Sequence, residues 1–167
     1  MKFNHIENVT VEATFSDCGR YRYCLRVKKN DASGNKKVCV IMQNPSVANS
    51  EVADRSVQFL EKLIFLKGYS EFNDVNEIVI VNQFAYVQTN DFSGSSIHIG
   101  PENDSYIKSA VESSDIVLVA WGSGNGYNER KMAINAIISA AKNKTLLQTK
   151  AHPSRGTYVD FVTPYSN

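Results

Sequence analysis

The chain has 167 residues and a formal net charge of +1, with 43% hydrophobic and 21% charged residues. This length and composition predict a single globular domain over residues 1–167 with a sizeable hydrophobic core, and they exclude a disordered chain. Because the net charge is so low, any contact with nucleic acid has to come from local clusters of charge.

The cysteines and the hydropathy pattern indicate the compartment. Cys18, Cys24 and Cys39 are odd in number and lack the spacing of a zinc or iron–sulfur site. The sequence contains no apolar run of membrane length and no secretory signal. We therefore expect a protein of the reducing cytoplasm that does not contact a membrane.

The first forty residues predict antiparallel strands. Residues 1–16 alternate weakly between apolar and polar positions, whereas residues 20–29 alternate clearly, with tyrosines and aliphatic residues on one face and basic residues on the other. The basic face indicates either a phosphate-binding strip or, more commonly, the solvated face of an edge strand. A turn at 30–35 predicts that residues 20–27 and 37–42 are antiparallel neighbours.

The remainder alternates between strands and helices. Apolar runs predict buried strands, which are 38–42, 77–81, 115–121, 145–148 and a further candidate at 157–162. Helices are predicted from Asp54 as N-cap to Gly68, over 101–113 and over 129–142. This alternation predicts an α/β fold, a three-layer α/β/α arrangement around a central, mostly parallel sheet.

Polar residues follow four of the predicted strands. The ends are Gln43 to Ser46, Asn82, Trp121-Gly122 and His152 to Ser154. In open α/β sheets ligands bind outside the carboxyl ends of the strands, so we expect the four ends to form one site. Their amides, imidazole and nearby aromatic rings suit hydrogen bonding to, and stacking on, a planar polar ring.

Other chemistries have weaker support in the sequence. The glycine-rich loop 122–126 could bind a phosphate or an oxyanion, but it lacks the order of a dinucleotide fingerprint or a P-loop and is more typical of a flexible turn. The candidate serine nucleophiles lack a nucleophile elbow, and ligands for a metal are too scattered. The polar loop 88–100 is either a lid or a plain connection.

The motifs in order, strand-QNPS, strand-VNQF, strand-WGS and strand-AHPS, resemble the uracil-DNA glycosylase superfamily over about residues 38–154, particularly its thymine/mismatch and single-strand-selective branches. Those branches carry an N-P-G turn after the first core strand and a closing H-P-S-like motif. The wider set R-Y-x-L, M-x-N-P-S-x-A, D-x-S, V-N-x-F-A, G-P-E-N-D, A-W-G and H-P looks like a bacterial and phage domain family of unknown function with this architecture.

The resemblance implies a uracil-DNA-glycosylase-like fold and a monofunctional DNA glycosylase that flips a nucleotide and breaks its C1′–N bond without metal or cofactor. In this reaction Asn44 would orient the attacking water and His152 would stabilise the departing base. The implied base-binding residues are Gln43, Pro45, Ser46, Asn82, Phe84 and Trp121. The implied contacts to DNA phosphates are Gly122, Ser123, Ser154 and Arg155.

Departures from the glycosylase pattern bear on the substrate. Ser46 stands where those enzymes usually have glycine, and Arg155-Gly156 replaces their hydrophobic wedge. We therefore expect a modified pyrimidine, such as a hypermodified phage base, and a role in antiviral defence or base repair. Two alternatives remain: a hydrolase or transferase acting on free nucleotides, which the low net charge favours, and a non-catalytic module that binds a modified base.

Overall fold

The computed structural model describes residues 1–124 and 126–166, which form seven strands and three α-helices. The strands are β1 (Val9–Phe15), β2 (Arg22–Lys29), β3 (Lys36–Met42), β4 (Val75–Asn82), β5 (Ile116–Val119), β6 (Thr145–Thr149) and β7 (Val162–Pro164). The helices are α1 (Arg55–Phe65), α2 (Asn103–Ser113) and α3 (Asn128–Ala140).

The sheet is mixed and has the strand order β1-β2-β4-β3-β5-β6-β7. The four central strands, β4, β3, β5 and β6, pair in parallel, whereas β1–β2, β2–β4 and β6–β7 are antiparallel. The α/β class is confirmed, but the sheet is not mostly parallel, because only three of its six strand pairings are parallel. Parallel neighbours are usually joined by a crossover α-helix, and the connection from β6 to β7 contains only a short 3-10 helix, Pro153–Arg155.

The predicted pairing of residues 20–27 with 37–42 is wrong. β2 pairs with β4 instead, with Leu25 opposite Ile80, although a turn joins β2 directly to β3. The helix α1 carries the chain from β3 to β4, which lies beside β3 in parallel register. β4 therefore occupies the position between β2 and β3.

Helices cover both faces of the sheet. On one face the core contains Leu60 and Leu63 of α1 together with Val40 of β3. On the other face it contains Ile107 of α2 and Ile134 of α3, packed with further residues of the central strands. The predicted N-cap of α1 is confirmed, since the side chain of Asp54 accepts a hydrogen bond from the backbone N–H of Val57 at 2.9 Å.

A β-bulge interrupts β2. Thr14 of β1 lies opposite Cys24 and the next residue, Phe15, lies opposite Arg22, so Tyr23 is an extra residue in β2. The extra residue turns the side chain of Arg22 to the opposite face of the sheet, where it is fully buried.

The basic residues predicted to share one face of β2 therefore differ in burial. Arg26 and Lys28 are exposed, as a solvated face requires, but Arg22 lies inside the protein and its Nη1 donates to the carbonyl of Ala48 at 2.8 Å. Ala48 belongs to the core beneath α1, so Arg22 lies on that face of the sheet.

The strand predicted over 157–162 is wrong. The rings of Tyr158 and Phe161 both contact Phe59 of α1, with centroids 4.7 and 5.3 Å away. Two side chains three residues apart would lie on opposite faces of a strand, so their shared contact requires an irregular backbone before β7.

Candidate functional site

A cleft of about 940 Å³ lies where β3, β5 and β6 end and α1 begins. Eight of the twelve predicted site residues line it: Gln43, Asn44, Ser46, Trp121, Ser123, His152, Ser154 and Arg155. Pro45 and Gly122 adjoin these residues without lining the cleft, and Asn82 and Phe84 are buried away from its wall. Three of the four predicted strand ends therefore meet at one place.

The side chain of Asn44 has a defined orientation. Its Nδ2 donates to the carbonyl of Gln88 at 2.7 Å and to that of Pro45 at 3.2 Å. Since carbonyls only accept, these contacts fix which end of the amide is nitrogen. Oδ1 accepts one long hydrogen bond, from Nε2 of Gln43 at 3.3 Å, and an amide oxygen can accept two. Asn44 can therefore act as a hydrogen-bond acceptor for water.

The turn that carries Asn44 is attached to the segment after β4. The backbone N–H of Phe84 donates to the carbonyl of Gln43 at 3.0 Å, and that of Gln88 donates to the carbonyl of Pro45 at 3.1 Å. The hydroxyls of Ser46 and Thr89 lie 3.1 Å apart. The segment 84–89 thus holds the turn in place.

The tautomer of His152 follows from its local contacts. The backbone N–H of Ser154 donates to Nδ1 at 3.2 Å, and the hydroxyl of the same residue lies 2.9 Å from Nδ1. A backbone N–H can only donate, so the neutral ring carries its proton on Nε2. Burial lowers the pKa of His152, the charge of Asp54 opposes this shift and that of Arg155 adds to it. His152 is therefore neutral at pH 7 and presents an N–H donor.

Gly122 allows the loop after β5 to approach His152 closely. Its φ is +79°, and a Cβ atom at this position would lie 3.1 Å from Cβ and 3.2 Å from the backbone nitrogen of His152. Gly124 has a similar φ of +88° but no atom within 4 Å of such a Cβ. Asn125, which belongs to the same predicted glycine-rich loop, lies outside the described residues.

If His152 is catalytic, as the resemblance implies, we expect Gly122→Ala to lower kcat/KM at least tenfold through displacement of His152, because small errors in the position of a catalytic group are costly. Gly124→Ala introduces the same backbone strain without the contact and should retain activity within about threefold. The two variants are compared by steady-state kinetics on one substrate. Equal losses in both variants would assign the effect to loop strain alone.

Two buried side chains, from α2 and α3, donate to the backbone carbonyls at the end of β4. Nδ2 of Asn103 donates to the carbonyls of Asn82 and Gln83 at 3.0 and 3.2 Å. Nε and Nη2 of Arg130 donate to the same Gln83 carbonyl at 2.9 and 2.7 Å, and Nη2 also pairs with Asp104 at 2.8 Å. These contacts satisfy backbone groups that would otherwise be buried without partners.

The loop 88–100 is packed against this region. The ring of Phe92 contacts those of Phe84 and Tyr127, with centroids 5.2 and 6.1 Å away. Gly94 lies against the Tyr127 ring so closely that a Cβ atom would overlap it. Phe84 is thus part of an aromatic cluster that anchors the loop.

Arg22 and Asp54 are among the cleft residues that were missed as site residues. Asp54 was predicted as a helix cap and Arg22 as one of a basic strip, yet both line the cleft. Burial lowers the pKa of Arg22 to about 10, while the charge of Asp54 acts in the opposite direction, so Arg22 remains charged at pH 7. The motifs R-Y-x-L and D-x-S, which contain these residues, were the available sequence signal.

Two classes of feature are absent from the described residues 1–124 and 126–166. They contain no group of three or more His, Cys, Asp or Glu side chains that could hold a metal ion. They also contain no helix long and apolar enough to span a membrane.

The fold and the cleft define an α/β protein with a polar site at the carboxyl ends of its parallel strands. The chain belongs to the family described as "Protein of unknown function (DUF1643)", which matches residues 22–155. This range begins with Arg22 of R-Y-x-L and contains the H-P motif. No curated protein and no solved structure matches the chain.

Proposed function

We propose that this protein is a monofunctional DNA N-glycosylase of the uracil-DNA glycosylase type that excises a modified pyrimidine and leaves an abasic site. One observation carries the proposal: Asn44 brings an amide acceptor, and His152 a neutral N–H donor, to the same cleft from the ends of two parallel strands. Cleavage of an N-glycosidic bond needs both groups, one for the attacking water and one for the departing base.

The reaction divides between these two residues. Water attacks C1′ of the flipped nucleotide, the C1′–N bond breaks, and its electron pair leaves on the base. Oδ1 of Asn44 accepts a hydrogen bond from the water and orients it; since an amide does not take the proton, the proton passes to solvent. Nε2–H of His152 donates to a carbonyl oxygen of the base as negative charge develops there, and the released base is then protonated from solvent.

Other cleft groups support the nucleotide. Trp121 borders the cleft where it would contact the base, and the carboxylate of Asp54 favours positive charge on the oxocarbenium-like sugar. The side chains of Ser123, Ser154 and Arg155 supply donors for the flanking phosphates, with the backbone of Gly122 beside them. Asn82 and Phe84 are buried and support the site from behind.

The size of the cleft favours a bulky base. Its volume of about 940 Å³ is near the upper end of the range of roughly 300–1,000 Å³ found for small-molecule sites. The hydroxyls of Ser46 and Thr89 add polar contacts for a substituent on the pyrimidine ring. A hypermodified phage base fits these features, and we place the activity in the cytoplasm, in antiviral defence or base repair.

An abasic-site assay tests the proposal. Purified protein is incubated with unmodified DNA, uracil-containing DNA and phage DNA with hypermodified pyrimidines, and alkali then reveals abasic sites as strand breaks. We expect breaks in the modified DNA with the wild type and their loss with His152→Ala. Intact strands on every DNA, beside a known glycosylase that cuts its own substrate, would refute the proposal.

The net charge of +1 favours a second candidate, a hydrolase acting on free nucleotides with the same two residues. It predicts base release from mononucleotides, measured by chromatography, and no salt-sensitive binding to DNA. Binding of a modified base without turnover would instead indicate a recognition module.

A further inference from the structure

The guanidinium group of Arg22 has an unpaired edge. The side chain is fully buried, and only Nη1 has a hydrogen bond, to the carbonyl of Ala48. Nε and Nη2 are buried and have no partner among the described residues. These two nitrogens form the side of the guanidinium that binds a carboxylate or a phosphate through two parallel hydrogen bonds.

The charge of Arg22 also lacks a contacting counter-ion. Asp54 influences it electrostatically, but within the described residues no carboxylate forms an ion pair with it inside 4.0 Å. The protein treats its other buried arginine differently, since Arg130 pairs with Asp104 and with the carbonyl of Gln83. A buried charge without a partner costs free energy, which a bound anion would recover.

A second buried group with unpaired atoms lies on the neighbouring strand. Asn82 follows Ile78 and Ile80 on the face of β4 beneath α1, the face on which Arg22 lies. Neither Nδ2 nor Oδ1 of Asn82 has a hydrogen-bond partner among the described residues. Arg22, which borders the cleft, and Asn82 thus leave four buried polar atoms unpaired on this face of the sheet.

We propose that Arg22 binds an oxyanion of the ligand, a carboxylate or a phosphate, through its Nε–Nη2 edge, with Nδ2 of Asn82 as a further donor on the same face of the sheet. Arg22 borders the cleft, so the anion enters from there. Nε and Nη2 of Arg22 are buried, so side chains that line the cleft next to Arg22 have to move when the anion binds. Met42 borders the same cleft and has an unbranched, adaptable side chain.

The oxyanion could come from either of two parts of a nucleotide. One source is a carboxyl group on the pyrimidine ring, and this assignment rests on the proposed glycosylase function. The other is a nucleotide phosphate. Anion binding itself does not depend on whether the protein cleaves a glycosidic bond.

Calorimetry on the wild type separates the sources with matched pairs of probes. We expect 5-carboxyuracil to bind at least tenfold more tightly than its uncharged carboxamide if the base supplies the anion. We expect dUMP to bind at least tenfold more tightly than deoxyuridine if the phosphate supplies it. The proposal is overturned if neither anionic probe binds better than its neutral partner.

Two variants assign the preference to Arg22. Arg22→Lys keeps the positive charge but removes the two-donor edge, and should reduce the preference at least fivefold. Arg55 is an exposed arginine of the same cleft, and Arg55→Gln should leave the preference unchanged. Loss of the preference in Arg55→Gln contradicts the proposal. If Arg22→Lys does not fold, Arg22→Met takes its place and should lose the preference.

The result is independent of the abasic-site assay. An anion preference that the Arg22 variant loses, together with intact DNA, supports the Arg22 site and refutes the glycosylase. Cleavage of DNA without an anion preference supports the glycosylase and refutes the Arg22 site.

Discussion

Replacing His152 with alanine is expected to lower the rate of base release by about 10²–10³-fold, because in the proposed mechanism its N–H donates to the departing base as negative charge develops there. Asn44→Ala should cost about 10²-fold, since it releases the attacking water. Both rates are measured as single-turnover formation of abasic sites on the best DNA substrate. The conservative Ser154→Ala keeps the backbone N–H that fixes the tautomer of His152 and should cost less than tenfold.

The double variant tests the division of roles. In the proposed mechanism Asn44 acts on the water and His152 on the base, so the two losses should multiply until the uncatalysed background is reached. A double variant no slower than His152→Ala would show that the two residues act as one unit, contrary to the mechanism proposed. Circular dichroism of each variant provides the control for folding.

The location of the cleft could be predicted because it depends on local patterns. Short apolar runs ending in polar turns mark the carboxyl ends of parallel strands, and in the structure β3, β5 and β6 end together. Asn44 and His152 each directly precede a proline, which holds the backbone extended. These local features predict both residues as site residues without knowledge of any tertiary contact.

Other features depend on tertiary structure and could not be predicted. The burial of Arg22 follows from the extra residue at Tyr23, and β1 must be paired with β2 before that bulge exists. Period-two alternation assumes a regular strand, so it placed Arg22 with the exposed Arg26. The same holds for Phe84. The sequence predicts that it follows a strand end, but the rings that cover it belong to Phe92 and Tyr127, and only the folded structure brings these to it.

Arg22 and Arg130 are expected to respond in opposite ways to replacement by methionine, which keeps much of the side-chain volume. Arg130→Met removes two charge-assisted hydrogen bonds to the Gln83 carbonyl and the ion pair with Asp104, and should lower the free energy of unfolding by about 2–3 kcal/mol. Arg22→Met loses one hydrogen bond, to Ala48, but also removes a buried charge with two unpaired donors. We expect its free energy of unfolding to equal that of the wild type or to exceed it by about 1–2 kcal/mol.

Urea denaturation of the two variants measures this difference, and ligand binding by Arg22→Met completes the test. If Arg22 is retained for an anion, its replacement gives a protein that is at least as stable but has lost the preference for the anionic probe. A loss of stability in Arg22→Met as large as that in Arg130→Met would mean that Arg22 is a structural residue whose contacts hold the fold together. The binding preference of the Arg22 variant would then decide alone whether the unpaired edge binds an anion.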